Sequence, residues 1–382
     1  MLRLQRNNIL VITVLSALLF LSCSGSKGQE GRMAMDDSIT FRYAQLIHIY
    51  NLPDSCRLVV LDNPWSAGKE LHRYVLVPRQ AKVNDDILAQ GTVVRTPLQR
   101  TTVFTSVHCR LLQDIGALDL ISGVCDFEYV QSPEVILRVR EGRIGNMGSA
   151  LNPNIERILS GHTDGMLVSP FEQSGYGTLE RTGIPLIECA DYMEPTALGR
   201  AEWVRFFGLL FGRERQADSL FHTVESNYKR LCLLVQDAKE RPRLLCDQMN
   251  GAAWYVPGGQ STIGQLYQDA GADYLFADRK ESGSMRLSFE TVFSRGHDAD
   301  IWFVKYSRGA DFTYTTFAQD NPKYTRFAPY KNHRIYGCNT FITPFYDEEP
   351  FHPDLLLADA IHILHPDRLP DHQLHFFKPF AE

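Results

Sequence analysis

Twelve histidines, eight cysteines and 45 carboxylates supply this 382-residue chain with the side chains of metal and acid–base chemistry. Their spacing decides whether that chemistry is used. His352, His362, His365, His372 and His375 crowd the C-terminus, and His362 and His365, three apart, share a face on any helix that carries them. A metal centre needs more ligands at set geometry, so no bound metal is expected. Apart from Cys23, the cysteines are Cys56, Cys109, Cys125, Cys189, Cys232, Cys246 and Cys338. They are odd in number and form no C-x-x-C pair, which leaves zinc-ribbon and redox chemistry without support. They read as small buried apolar residues, and no disulfide is predicted. The stretch Gly259-Gln260-Ser261-Thr262-Ile263 misses the G-x-S-x-G elbow at its last position. There is no H-E-x-x-H, Walker loop or G-x-G-x-x-G, and Asp62, Glu172 and Asp247 have no evident carboxylate partner. The chain is therefore expected not to be an enzyme and to carry no cofactor.

Cys23 is set apart by what precedes it. Arg3 and Arg6 lead an apolar run from Ile9 to Leu21, followed by Ser22-Cys23-Ser24-Gly25. A run of about 13 residues falls short of the ~20 that a membrane span needs. A basic start, a short apolar centre and small residues after it describe a secretory signal. The sequence Leu19-Phe20-Leu21-Ser22-Cys23 resembles a bacterial lipobox, with Phe20 where Leu is usual. In that pattern Cys23 becomes the lipidated first residue of the mature protein. Residues 1–22 are then a signal peptide, and 23–40 a small, polar, aperiodic tether. Removing 1–22 takes two of the 39 basic residues and none of the 45 acids, so the net charge of −6 becomes −8. With no basic excess, nucleic acid is excluded as a partner. A composition of 44% hydrophobic and 22% charged residues is globular, and the length fits two domains.

The elements that would position a site follow from periodicity. From 41 to 105 the reading is mostly β, with β-rich runs at 58–61, 74–77 and 92–94 broken by Pro, Gly, Asn and Asp. Helices and strands then alternate: helix 106–115, strand 121–124, helix 155–159, strand 165–168, helix 179–182 and strand 185–187. Such alternation argues for α/β units around a largely parallel sheet. Residues 196–212 form an amphipathic helix with Leu198, Trp203, Phe206, Phe207 and Leu210 on its apolar side. From 214 to 239, Ala217, Phe221, Val224, Tyr228, Leu231 and Val235 keep helical spacing without Pro or Gly. That predicts a helix of about 40 Å at ~1.5 Å per residue, ended by Arg241-Pro242. Beyond it lie strand 244–245, helices 262–270 and 289–293, strand 300–305 and a last amphipathic helix over 354–364.

Two stretches flanking the long helix resemble each other. Ile155-Glu156-Arg157-Ile158-Leu159-Ser160-Gly161-His162-Thr163-Asp164 precedes Met166-Leu167-Val168. Phe289-Glu290-Thr291-Val292-Phe293-Ser294-Arg295-Gly296-His297-Asp298-Ala299-Asp300 precedes Ile301-Trp302-Phe303. Each reads apolar, Glu, any, apolar, apolar, Ser, then Gly-His and an Asp before a strand, with one insertion at Arg295. One helix–turn–strand unit used in each of two similar lobes is the simplest cause.

With this repeat the chain resembles the substrate-binding proteins of ABC importers for iron complexes, haem and cobalamin. The matching segments include Arg95-Thr96-Pro97-Leu98, Asn152-Pro153-Asn154-Ile155-Glu156, Gly183-Ile184-Pro185, Gly258-Gly259-Gln260-Ser261, Asp269-Ala270-Gly271-Ala272, Leu287-Ser288-Phe289-Glu290 and His352-Pro353-Asp354-Leu355. The resemblance implies an α/β fold of two Rossmann-like lobes, each with a mostly parallel sheet, joined by one long helix. The N-terminal lobe is expected over 41–212, the linker helix over 213–240 and the C-terminal lobe over 241–382. Residues 41–94 look like the extension of larger relatives.

What the resemblance implies for sites follows residue by residue. Glu156 and Glu290 match the acids that dock each lobe onto the permease. A ligand would lie between the lobes against loops at strand C-termini, which makes His108, Phe171, Glu172, Tyr176, Tyr192, Trp254, Tyr255, Tyr306 and Arg308 the candidate ligand contacts. His108 is a possible ligand of a metal centre in haem or cobalamin, although a lone His near a helix start is more often structural. The expected ligand is a metal-organic small molecule: a ferric siderophore, haem or cobalamin. The expected partner is an inner-membrane ABC permease dimer, met by a monomer that touches the membrane through its lipid anchor alone, in a Gram-negative periplasm. The alternative is a chelatase-like enzyme of related fold acting on a tetrapyrrole.

Overall fold

The computed structural model describes residues 37–172 and 175–382. The signal segment, Cys23 and most of the tether lie outside the described residues, as do Gln173 and Ser174. No helix among the described residues is long and apolar enough to cross a membrane. The seven described cysteines are unpaired thiols, all but Cys232 buried.

Two parallel sheets carry the molecule. In the first lobe the strand order is Leu186–Glu188, Gly165–Val168, Thr101–Val103, Ile121–Val124, Gly145–Asn146, every neighbour parallel. In the second the order is Asp273–Tyr274, Arg243–Cys246, Ile301–Tyr306, Ile335–Asn339, Lys378–Pro379. All neighbours there are parallel except the last. The strands that follow the repeated unit, Gly165–Val168 and Ile301–Tyr306, hold the same place: each lies between the first strand of its lobe and the next one along the chain. The repeated Asp has a physical task in both. The Asp164 carboxylate accepts the backbone N–H groups of Gln99 and Arg100 at 3.0 and 3.1 Å, and Asp300 accepts that of Arg243 at 2.8 Å. Each ties off the start of the neighbouring strand, where unpaired N–H groups would otherwise be left.

The helix between the lobes runs Glu214–Val235, 22 residues and about 33 Å at ~1.5 Å per residue. It stops four residues before the predicted end, because at 236–238 the chain tightens into a turn closed by the Ala238 N–H on the Val235 carbonyl. The helix expected over 196–212 is two, Ala197–Glu202 and Val204–Phe211. The break falls at Trp203, whose fully buried indole donates to Glu194 at 2.8 Å. The five apolar residues read from the sequence are all buried. The C-terminal tail packs inward: Asp359, wholly buried, accepts the backbone N–H groups of His375, Phe376 and Phe377. That hold places Lys378–Pro379 on the sheet edge.

The N-terminal segment builds a further sheet of Asp37–Ile39, Ile47–Asn51, Arg57–Asp62, Glu70–Pro78 and Thr92–Thr96, antiparallel but for the last pair. Tyr74 joins it to the first lobe. Its hydroxyl donates to the Leu186 carbonyl and accepts the Glu188 N–H, both at 2.9 Å, in place of a neighbouring strand. The segment leading into Ile47–Asn51 is held by buried acids. Glu202 accepts the N–H groups of Arg42, Tyr43 and Ala44, and Glu194 those of Gln45 and Leu46. Glu225 on the long helix takes the Arg42 guanidinium and the Tyr43 hydroxyl.

A clasp binds the segment after Ile335–Asn339 to the first lobe. Ser106 donates to Asp347 at 2.5 Å, Gln131 donates to the Thr340 carbonyl at 2.7 Å, and Arg110 pairs with Glu348. His375 meets the other Glu348 oxygen at 2.6 Å, and His352 meets Asp114 at 3.0 Å. The Glu348 bond raises the His375 pKa above the usual histidine value, against burial. Burial pushes Glu348 up, but His375 and Arg110 outweigh it and hold the carboxylate below the usual value. The His375 contribution is complete below the unfolded histidine value near 6.5 and is lost as pH rises through the raised one; the Glu348 contribution is complete above the unfolded value near 4.5. Asp359 and Arg110 are the other charges facing His375. The stability deficit of His375→Ala against the parent chain should therefore shrink between pH 6 and 9 in thermal melts. A deficit constant over that range would contradict the clasp as drawn.

Candidate functional site

Parallel strands bring their C-terminal ends to one edge, and the loops that leave that edge are free to meet a ligand. In the first lobe the loops after Thr101–Val103, Gly165–Val168 and Leu186–Glu188 enclose a cavity of about 290 Å³. Val107, Pro170, Phe171 and Tyr192 give it apolar walls, and Arg200 from the helix Ala197–Glu202 brings a guanidinium to it. In the second lobe the loops after Arg243–Cys246 and Ile301–Tyr306 line a larger cavity of about 490 Å³. Its lining is far more polar: Asp247, Gln248, Asn250, Ser284, Lys305 and Ser307, with Tyr255 and Tyr346.

A buried chain of polar groups supports the first cavity. The Thr105 hydroxyl lies 3.1 Å from His108 Nδ1, His108 Nε2 lies 3.1 Å from Asp191 Oδ1, and Arg200 Nε donates to Asp191 Oδ2 at 3.1 Å. His108 and Asp191 are each about 2% exposed. Burial pushes Asp191 up, but His108 and Arg200 outweigh it and hold the carboxylate below its usual range. Both His108 ring nitrogens are thus engaged within the protein. Its place in the sequence comes from the helix Ser106–Asp114, whose N-terminus Thr105 caps.

Lys305 and Asp247 form the counterpart in the second cavity, 2.9 Å apart. Burial pulls the ammonium down, but the Asp247 carboxylate outweighs it and holds Lys305 above its usual range. Asp247 has φ of 60°, a left-handed conformation that costs a non-glycine residue of order 1 kcal/mol or more. Two bonds hold it there: its N–H to the Phe303 carbonyl at 2.6 Å, and its carbonyl to the Trp302 indole at 2.7 Å.

The sequence candidates divide accordingly. His108, Phe171 and Tyr192 line the first cavity, and Tyr255 and Tyr306 the second. Trp254 does not reach it. Successive residues of Ala253–Pro257 face opposite ways, so Tyr255 turns outward while Trp254 is fully buried, stacked on Trp302 with ring centres 5.6 Å apart. Arg308 turns to Asp320 at 3.2 Å and to the Phe312 ring, away from the lining. The Tyr176 hydroxyl is spent on Glu188 at 3.0 Å, and Glu172 is exposed outside the lining. Arg200, Lys305 and Gln248 were not picked out from the sequence. A lone Lys near the end of the apolar run Ile301-Trp302-Phe303-Val304-Lys305 was the available signal.

Glu156 and Glu290 are both exposed and both sit in the first turn of their helices, Ile155–Ser160 and Phe289–Gly296. Each stands two residues after a capping side chain, Asn154 and Ser288, and one before the residue whose N–H that cap accepts. The repeat therefore puts one acid at the same point of each lobe.

A family model described as periplasmic binding protein matches residues 131–340. An uncharacterized lipoprotein of Methanocaldococcus jannaschii is 29% identical over 301 residues, 75% of this chain and 69% of its own. The molybdate periplasmic binding protein of a Haemophilus influenzae ABC transporter superposes with a TM-score of 0.59 at 17% identity, over 74% of this chain and 90% of its own. A periplasmic heme-binding protein from Pseudomonas aeruginosa gives 0.53 at 16% identity, over 70% and 93%. At such identities the two solved structures share the fold, two lobes joined by one long helix.

Proposed function

Because the chain belongs to the periplasmic binding protein family, we propose that it captures a metal-organic complex, a ferric siderophore, haem or cobalamin, and hands it to an ABC permease. It is a solute-binding protein of the ABC transporter type, and that family binds rather than transforms its solutes. The observation that carries the finer reading is the pair of cavities at equivalent strand ends of two lobes in which four strands share one order. One is walled by apolar and aromatic groups, the other by polar ones. Each is large enough for a substantial part of a drug-sized or larger ligand, and together they suit a flat apolar body with a polar periphery. On this reading Glu156 and Glu290 read basic residues on the permease, and Cys23 carries the lipid. With an archaeal lipoprotein among its relatives, the reading requires an extracytoplasmic face and a permease, not a Gram-negative envelope. The test is native mass spectrometry with a visible spectrum on protein purified from its own host. A retained complex of a haem, a corrinoid or a ferric chelate is expected; a retained sugar or amino acid would refute the reading.

A further inference from the structure

Among the described residues Arg200 is the one arginine or lysine in the lining of the first cavity. Its Nε is taken by Asp191, and both Nη groups are without a hydrogen bond among the described residues. A guanidinium presents its donors as a rigid planar fork. Here one side of the fork is pinned by a buried carboxylate, itself pinned by His108, so the remaining N–H groups are held in a fixed direction. The walls around them, Val107, Pro170, Phe171 and Tyr192, offer no second charge. In the second lobe Glu349 is 6% exposed, and Arg200 and Lys305 both act on its carboxyl electrostatically, against the burial that raises its pKa. Arg200 thus has one side of its fork engaged by Asp191 and the Nη donors on the other side unmatched among the described residues.

We propose that Arg200 reads an anion: the planar carboxylate of a ligand whose adjoining surface is apolar and rests on Phe171 and Tyr192. A bidentate carboxylate matches the fork, and the apolar walls supply area that a bare inorganic oxyanion has no means to use. This deepens the proposed function by naming the group the ligand must present at the first lobe, and it rests on that reading for the place of the ligand.

Benzoate is the direct probe, since it joins one planar carboxylate to one flat apolar ring, and benzamide is its neutral twin. NMR titration of the purified full chain should give benzoate a Kd of about 1 mM, the range open to a ligand of so few atoms, and benzamide at least tenfold weaker binding. Arg200→Gln should remove the preference, and Arg200→Lys, which keeps the charge and loses the fork, should retain part of it; a melting temperature for each variant reports the fold. Equal binding of benzoate and benzamide, or an unchanged preference in Arg200→Gln, overturns the proposal. Molybdate binding more tightly than benzoate overturns it as well, because the apolar half would then be idle. Should metal chelates bind between the lobes while benzoate fails, the Arg200 assignment falls alone; should benzoate bind and the chelates fail, the ligand reading falls and the anion site stands.

Discussion

Reversing Glu156 and Glu290 to arginine together is expected to lower permease-dependent uptake by about 100-fold or more, with ligand affinity and melting temperature unchanged. Both carboxylates are exposed, in the first turns of helices that hold the same place in two lobes. Neither is spent inside the protein on an ion pair among the described residues. A close charge pair across an interface contributes about 1.5 kcal/mol or more, and about 1.4 kcal/mol is a factor of ten. Losing two such pairs, and replacing them by like-charge contacts, multiplies to the stated loss. Either single reversal should cost about tenfold. Uptake assays in cells carrying the cognate permease, beside ligand titrations of the same variants, separate docking from binding. Uptake that survives the double reversal would remove the docking role, and a parallel fall in ligand affinity would move these acids to the ligand site.

The largest effect on stability should come from Glu202→Ala. Glu202 is wholly buried and accepts three consecutive backbone N–H groups of the entry segment, those of Arg42, Tyr43 and Ala44. Truncation leaves these donors, part-buried at Arg42 and Tyr43 and buried at Ala44, without their partner. Breaking a buried charged network in this way costs about 3–5 kcal/mol, about 5 °C in melting temperature for a chain of this length. Glu202→Gln, which keeps an acceptor oxygen, should lose about half as much. By contrast Glu134→Ala, which breaks the half-buried surface pair with Arg138 at 2.8 Å while Arg138 keeps Asp119, should change stability by less than about 1 kcal/mol. The substitution should also loosen the chain where the tether enters the body, so proteolysis near residues 37–46 should quicken in Glu202→Ala and not in Glu134→Ala. Equal melting temperatures for parent and Glu202→Ala would contradict the role given to the entry segment.

Much of this architecture was legible because burial writes a period into the sequence. The long helix announced itself through Ala217, Phe221, Val224, Tyr228 and Leu231, and the duplicated lobes through Glu156 and Glu290 with their trailing Asp164 and Asp300. Both Asp residues turned out to tie strand starts, a constraint strong enough to keep the pattern readable. Short helices and strands were less visible. Pro133–Arg140 and Ile335–Asn339 were not read, because few residues and mixed polarity leave no clear period. The site was half legible. Loops at strand ends pointed to Phe171, Tyr192 and Tyr255, yet Trp254 beside Tyr255 faces the core, since one residue along a strand reverses the side. Arg200 was hidden in a helix that reads as apolar packing, and nothing in sequence spacing ties it to His108 and Asp191, 92 and nine residues away. Only the folded chain brings those three into one line.

Equilibrium titration of the purified chain with haemin, cyanocobalamin and a ferric siderophore, followed by absorbance and calorimetry, tests the central claim most directly. One of the three should bind at one per chain with a micromolar or lower Kd, and Phe171→Ala with Tyr255→Ala, which removes an aromatic wall from each cavity, should weaken it by about tenfold or more. Saturating concentrations of all three without binding, or binding untouched by that double substitution, would contradict capture of a metal-organic complex between the lobes.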